Sequence, residues 1–204
     1  MTTQTDADMN NKRVVIEGVK PEIDSGRHPI KRVVGERVIV EADVFTDGHE
    51  ALSCELRYRP GTSGAWLAVP MEPLVNDRWR AEFTVTGLGK YSYTIHAWLD
   101  PFKLWSRNLL KRLEVGQDVT IELLIGANLI DDTLRRTKGN DAALLSAYAE
   151  QLRSGSDTGV PAALSDELAT LMLAHADREG GIPSAHDRTD VSDRAGRGAQ
   201  SRSA

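Results

Sequence analysis

Three of the four tryptophans lie where a functional surface could use an aromatic ring. Trp98 falls on the polar side of the alternating stretch YSYTIHAWL, and Trp66 is out of phase with the apolar residues that follow it. Trp105 follows an Asp-Pro pair that we interpret as a turn, so its strand parity is undefined. Aromatic rings stack on sugars but more often bury area in a core or an interface. We therefore consider Trp66, Trp98 and Trp105 a candidate docking or sugar-stacking surface. Docking is favoured because leucines, and not clustered amides, flank them.

Motifs for catalysis or metal binding are absent from the sequence. It has no glycine-rich phosphate loop, no H-E-x-x-H and no G-x-S-x-G. The histidines are dispersed, without metal-ligand spacing: His28, His49, His96, His175 and His186. The single cysteine, Cys54, lies in the alternating run SCELRY, which predicts a buried and inert thiol. We assign no catalytic residue, no metal ligand and no cofactor.

Composition narrows the classes of partner. The chain of 204 residues has a net charge of −5, which argues against a nucleic-acid-binding protein because these carry a basic stripe. Its polar, acidic start is not a secretory signal, and no apolar run reaches the roughly 20 residues that span a bilayer. One cysteine excludes an internal disulfide and fits a reducing compartment. We expect a cytoplasmic protein with no nucleic-acid or membrane partner.

Short alternating strands separated by turn residues occupy residues 13–115. In RVIVEADVF, the apolar residues share one side of the strand: Val38, Val40, Ala42 and Val44. In RWRAEFTVT, Trp79 is in phase with Ala81 and Phe83, so we place it in the core. Strands of this length with one-sided alternation predict a mainly β fold, an immunoglobulin-like antiparallel β-sandwich.

From residue 116 to 176 the period changes to that of short helices. Asp118 is the predicted cap of the first helix, and Ser165 is the predicted cap of the third. The second helix is predicted to open at Asn140 or Asp141. The first helix carries the apolar residues Ile121, Leu124 and Ile125, and Gly126 weakens it. RSGSDTGVP breaks the second helix.

Both ends of the chain are expected to be disordered, residues 1–12 and residues 177–204. The tail has Ile182 and Val191 as its large aliphatic residues and no aromatic residue, so it cannot bury enough surface to offset its ordering entropy. A shifted reading frame in GC-rich DNA would give this composition. It favours a truncated or frame-shifted product over a natural stand-alone module.

Three segments carry a resemblance to a known family: RVVIEGVKPEIDSGRHPIKRVVGERVIVEADVFTDGHE, VPMEPLVNDRWRAEFTVTGLGKYSYTIHAWLDPFKLW and EVGQDVTIELLIGA. They resemble the N-terminal region of the bacterial α-1,4-glucan:maltose-1-phosphate maltosyltransferases, which belong to the α-amylase superfamily. The resemblance runs from Arg13 to about Arg178 and is strongest in the β zone.

The resemblance implies a β-sandwich and a helical insert that precede a (β/α)8 catalytic barrel and help to build a homodimer. The implied activity is retaining transfer of maltosyl units from α-maltose 1-phosphate to α-1,4-glucans in bacterial glycogen synthesis, performed by an aspartate and a glutamate of the barrel. No residue here matches those groups, so we expect this chain to be inactive alone and to act as a docking or dimerisation module. The expected partner is a second copy or the missing barrel. A stand-alone α-glucan-binding β-sandwich module without catalysis is the alternative.

Overall fold

The computed structural model describes residues 14–21, 30–61, 63–179, 181–184 and 191–193. It divides into a β unit, drawn from Met1–Gly48, Leu52–Trp98 and Gly180–Ala204, and a helical unit, drawn from His49–Ala51 and Leu99–Glu179. In chain order, the helical unit is therefore an insertion within the β unit. The N-terminal segment predicted to be disordered, residues 1–12, lies outside the described residues.

The described part of the β unit contains two four-stranded sheets and one isolated strand pair. The first sheet has the order β1 (Val14–Lys20), β3 (Arg37–Thr46), β7 (Arg78–Thr84) and β6 (Glu72–Pro73). The second has the order β5 (Leu67–Pro70), β4 (Leu52–Pro60), β8 (Tyr91–Leu99) and β9 (Ile182–Pro183). Outside these sheets, β2 (Ile30–Arg32) pairs in parallel with β10 (Val191–Asp193).

Antiparallel pairing, as predicted, joins β1 to β3, β3 to β7, β7 to β6, β4 to β5 and β8 to β9. The predicted inward face of β3 is buried, with all four side chains at most 1% exposed: Val38, Val40, Ala42 and Val44. Phe83 stacks on Tyr58 at a centroid distance of 4.5 Å, so side chains of the two sheets share one core. Trp79 is also buried and donates from Nε1 to the Val44 carbonyl. The immunoglobulin-like arrangement of these strands stays a prediction.

Strand β8 is buried on both of its faces, although its alternation predicted one apolar and one polar side. Ser92, Thr94, His96 and Trp98 on the polar side are all buried. Part of this polar layer is satisfied by the strand segment that follows the helical unit. Ser184 donates its backbone N–H to the Ile95 carbonyl, and its hydroxyl lies 3.0 Å from the Thr94 hydroxyl. A strand with two buried faces keeps its polar residues because neighbouring groups bond them.

The helical unit contains five helices within the described residues: α1 (Pro101–Glu114), α2 (Thr120–Leu134), α3 (Asn140–Arg153), α4 (Ser156–Ala163) and α5 (Asp166–Ala174). The predicted start of α3 at Asn140 and the Ser165 cap of α5 are confirmed, since Ser165 Oγ accepts from the Leu168 N–H. Asp118 lies one residue before the N-cap of α2. Its carboxylate accepts from the hydroxyl and the N–H of Thr120, and these bonds lower the pKa of Asp118.

The switch from strand to helix comes at Asp100, earlier than the predicted boundary between residues 115 and 116. Asp100 accepts from the Lys103 N–H at 2.9 Å, and Pro101 occupies the first turn of α1. An aspartate cap followed by proline is a helix start, because proline lacks the N–H that would be unsatisfied there. The interpretation of the Asp-Pro pair as a turn is therefore wrong, and α1 replaces the end of the predicted β zone.

Two other elements differ from the sequence prediction. RSGSDTGVP ends α3, but most of it forms α4, with Pro161 inside the helix. Residues 182–183 and 191–193 form strands within the tail predicted to be disordered from residue 177. Both short strands depend on pairing with distant partners, β8 and β2, which the local composition does not reveal. Residues 180, 185–190 and 194–204 lie outside the described part.

The helical unit has its own apolar core, to which every helix contributes. Its fully buried side chains include Leu109, Leu123, Ile130, Leu145, Leu152 and Leu168. Burial of a continuous apolar face explains how helices of 8 to 15 residues, marginal in isolation, are stable here.

Candidate functional site

Trp105 is part of the helical core. Its side chain is 5% exposed, and its ring centroid lies 5.1 Å from that of Phe102, one turn earlier in α1. The indole Nε1 donates to the Glu122 carbonyl of α2 at 2.7 Å. A Cβ atom built on Gly126 would lie 2.1 Å from Trp105 Cζ2, so the ring rests directly on this glycine. The absence of a side chain at Gly126 therefore provides the space that the Trp105 ring occupies.

Trp98 is buried in the β unit, with 2% of its surface exposed. Its ring lies 5.9 Å from the His96 ring on the same side of β8. Glu55, also buried, lies 3.9 Å from His96 Nδ1 and accepts from Arg57 Nε at 2.6 Å. The arginine neutralises the buried carboxylate, which is what burial of a charge requires.

Trp66 is the accessible member of the predicted surface. The residue is 38% exposed, and the Arg59 guanidinium lies 4.5 Å above the ring centroid. This is cation–π geometry, and it occupies one face of the indole. The buried Trp98 and Trp105 present no free ring face to solvent. The docking or sugar-stacking role of the three tryptophans stays a prediction.

A second surface lies on α2. The three apolar residues that the sequence analysis names for this helix are exposed: Ile121 by 71%, Leu124 by 45% and Ile125 by 43%. The opposite face, with Leu123, Ala127 and Ile130, is buried in the helical core. A helix that is apolar all round is normally buried all round, and this signal was available in the run IELLIGANLI. The exposed face, Ile121, Leu124 and Ile125, is called the α2 apolar face below.

The charged groups of the β unit are arranged for stability. Glu41 and Asp43 lie on one face of β3, where two carboxylates could suggest acid–base chemistry. Arg78 bridges them, with Nη1 3.0 Å from Asp43 and Nη2 3.2 Å from Glu41. The bond to Asp43 raises the pKa of the Arg78 guanidinium further above its ordinary value, with a smaller contribution from Glu41 and partial opposition from desolvation. Both acids are therefore ion-pair partners of one arginine.

The described residues hold no group of three or more histidine, cysteine, aspartate or glutamate side chains placed to bind a metal ion. Cys54 is a buried thiol, as its alternating context predicted. No described helix combines the length and apolar character needed to cross a bilayer.

These features define an antiparallel β unit with a helical insertion, in which the prominent side chains build cores, ion pairs and exposed apolar surface. The chain belongs to the family described as α-1,4-glucan:maltose-1-phosphate maltosyltransferase, domain N/S, which matches residues 12–193. The resemblance stated from the sequence is thereby confirmed. The match continues past Arg178 to residue 193, and the shifted reading frame of the tail stays a prediction.

Three bacterial α-1,4-glucan:maltose-1-phosphate maltosyltransferases illustrate the similarity. The protein of Chlorobaculum tepidum is 48% identical over 79% of this chain, and that of Myxococcus xanthus is 45% identical over 81%. The protein of Rhodospirillum rubrum is 36% identical over 84%. The aligned regions cover 24%, 26% and 27% of these relatives, so the chain spans about a quarter of their length.

Proposed function

We propose that this chain is the non-catalytic N-terminal part of a cytoplasmic maltosyltransferase of bacterial α-glucan synthesis, and that its own role is docking of a second copy. Family membership supports the first statement. The α2 apolar face supports the second, because contiguous exposed apolar side chains mark interaction surfaces. This face is the single observation that carries the docking role.

The free energy gained by burying the α2 apolar face is modest, so other groups must also contribute to the contact between two copies. Fully burying one isoleucine or leucine side chain contributes about 1.5–3 kcal/mol, so the exposed fractions of the three residues correspond to roughly 2–5 kcal/mol per copy. Association must also offset lost rigid-body freedom. We therefore expect concentration-dependent self-association in which the α2 apolar face is necessary.

Sedimentation velocity over a concentration series tests the docking role. The wild-type chain should self-associate, and the double variant Ile121→Ser, Leu124→Ser should remain monomeric with an unchanged circular dichroism spectrum. The matched control is Val75→Ser, Leu88→Ser, which removes two exposed apolar residues of the β unit. A wild type that stays monomeric at high concentration, or a control that dissociates equally, would refute docking through α2.

The same proposal predicts that this chain has no transferase activity by itself. The purified chain is incubated with α-maltose 1-phosphate and a maltooligosaccharide acceptor, and released phosphate is measured. We expect release equal to the buffer blank. Release that survives rigorous purification and exceeds the blank would contradict the non-catalytic assignment.

The alternative function, an α-glucan-binding module, is favoured by the accessibility of Trp66. A glucan would stack on the ring face that Arg59 leaves open. Under this alternative, maltoheptaose changes the tryptophan fluorescence of the wild type, and Trp66→Phe abolishes that change. Under the docking proposal, maltoheptaose changes neither the fluorescence nor the sedimentation coefficient.

A further inference from the structure

Asp47 and Gly48 form the one Asp-Gly pair of the sequence, which contains no Asn-Gly pair. This pair carries a specific chemistry. Because glycine has no Cβ atom, the main-chain nitrogen that follows the aspartate is sterically unhindered. That nitrogen can attack the side-chain carbon Cγ of the aspartate, an intramolecular reaction that requires only the right local conformation. The reaction therefore depends on how firmly the fold holds the carboxyl group and the amide.

The fold leaves both reacting groups accessible. Strand β3 ends at Thr46 and β4 begins at Leu52, so Asp47 and Gly48 lie in the connection between two strands. The chain bends there, and both residues are exposed to solvent. Among the described residues, no donor or cation pairs with the Asp47 carboxylate, and no acceptor receives the Gly48 N–H. Neither group is therefore restrained from reaching the geometry of attack.

Asp43, four residues earlier, is held in the opposite way. Its carboxylate accepts from Arg78 Nη1 at 3.0 Å, and the next amide, that of Val44, donates to the Asp77 carbonyl at 2.9 Å. Val44 is also β-branched and buried, and both residues belong to the extended strand β3. The same reaction is blocked at Asp43 because carboxylate, amide and backbone are all fixed.

We propose that Asp47 is a site of spontaneous isoaspartate formation. The Gly48 nitrogen forms a bond to Asp47 Cγ, and the hydroxyl of the protonated carboxyl group leaves as water together with the amide proton. The product is a succinimide. Water then opens the ring. Attack at the side-chain carbonyl restores aspartate, whereas attack at the main-chain carbonyl gives isoaspartate, in which the chain continues through the former side chain.

The net conversion leaves mass and charge unchanged and requires no reactant other than water. It inserts one methylene group into the main chain between β3 and His49, and it leaves a free α-carboxylate at residue 47. This modification site is separate from the α2 apolar face and from Trp66, so its test is independent of the proposed function.

Prepared as the folded full chain, the protein is aged at neutral pH below its unfolding midpoint and digested with trypsin. The peptide of residues 38–57 contains both Asp43 and Asp47, so Asp43 is an internal control. Chromatography should resolve a second form of equal mass that accumulates with time. Digestion with a protease that cleaves before aspartate but not before isoaspartate should then fail at Asp47 and succeed at Asp43.

Two variants and a reference peptide make the test specific. Gly48→Val should slow the conversion about tenfold or more, equivalent to at least about 1.4 kcal/mol of added barrier, because its branched side chain hinders the attacking nitrogen. Asp47→Glu should remove the second form from this peptide, because the longer side chain cannot close the same ring. A synthetic peptide of residues 44–50 should convert at a rate within about threefold of that of the folded chain, because the fold restrains neither group.

The proposal is overturned if no second form appears in the aged wild type, or if Asp43 converts as fast as Asp47. It is also overturned if Gly48→Val converts at the wild-type rate, or if the free peptide converts far faster than the folded chain. The last result would show that the fold protects Asp47.

Discussion

Replacement of Gly126 by alanine should destabilise the helical unit, although alanine is the better helix former. Gly126 lies inside α2, where its exchange for alanine would ordinarily gain about 1 kcal/mol of helix propensity. Here the added Cβ would lie 2.1 Å from Trp105 Cζ2 and 2.6 Å from Cε2 and Cη2. Carbon atoms pack at about 3.5–4.0 Å, so the indole must move by more than about 1 Å.

Moving the indole lowers the stability of the helical unit. Trp105 is buried, and displacement lengthens its bond from Nε1 to the Glu122 carbonyl, a buried bond whose loss costs about 1–3 kcal/mol. Overpacking of the surrounding core adds about 1–3 kcal/mol. After the propensity gain is subtracted, Gly126→Ala should lower the free energy of unfolding of the helical unit by about 1–5 kcal/mol.

Chemical denaturation followed by far-ultraviolet circular dichroism measures this change, and a second background isolates its cause. In Trp105→Leu, the ring that meets the new methyl group is gone. Gly126→Ala should then be neutral or stabilising by up to about 1 kcal/mol. If Gly126→Ala leaves the wild-type transition midpoint unchanged or raises it, or destabilises both backgrounds equally, the close contact between Gly126 and Trp105 does not decide the effect.

Two further predictions concern tyrosine hydroxyls. Tyr91→Phe should lower the free energy of unfolding of the β unit by about 1–2 kcal/mol, measured by denaturation, because the phenol oxygen accepts from the N–H groups of Thr86 and Gly87. An unchanged midpoint would show that these bonds do not hold the β7–β8 turn. The Tyr148 hydroxyl donates to the Glu167 carboxylate, which raises the pKa of Tyr148. Since the folded pKa exceeds the unfolded one, this contact stabilises at neutral pH and its contribution is lost as pH rises through the folded pKa. Glu167→Gln should bring the phenolate absorbance titration to lower pH, and an unchanged titration would contradict the assignment.

The strands of the β unit could be predicted because one-sided alternation fixes which side chains face inward. Val38 to Val44 illustrate this, since every second residue of that run is buried as predicted. The boundary at Asp100 could also have been predicted, because the aspartate cap and the proline at the first helical position are local signals. The strands within residues 182–193 could not, because they are stabilised by register with distant strands and not by their own composition.

The position of Trp105 could not be predicted for a different reason. Its hydrogen-bond partner, Glu122, and its packing partner, Gly126, lie on the next helix, and no local pattern relates them to α1. Gly126 illustrates the limit of propensity, because the sequence indicates only that glycine weakens a helix. The contact with the indole gives the same residue the opposite effect on stability.

Gly126 and Ile125 are adjacent on α2 but lie on different faces of the helix. The glycine faces the helical core, where it admits an indole ring, and the isoleucine belongs to the exposed α2 apolar face. Substitutions on the core face should therefore change the free energy of unfolding and leave association of the folded chain intact wherever folding persists. Substitutions on the exposed face should change association and leave the unfolding midpoint, extrapolated to low protein concentration, nearly unchanged. A helix side turned to solvent contributes little to folding, so the proposed docking would give the three apolar residues of this face a role that the fold itself does not supply.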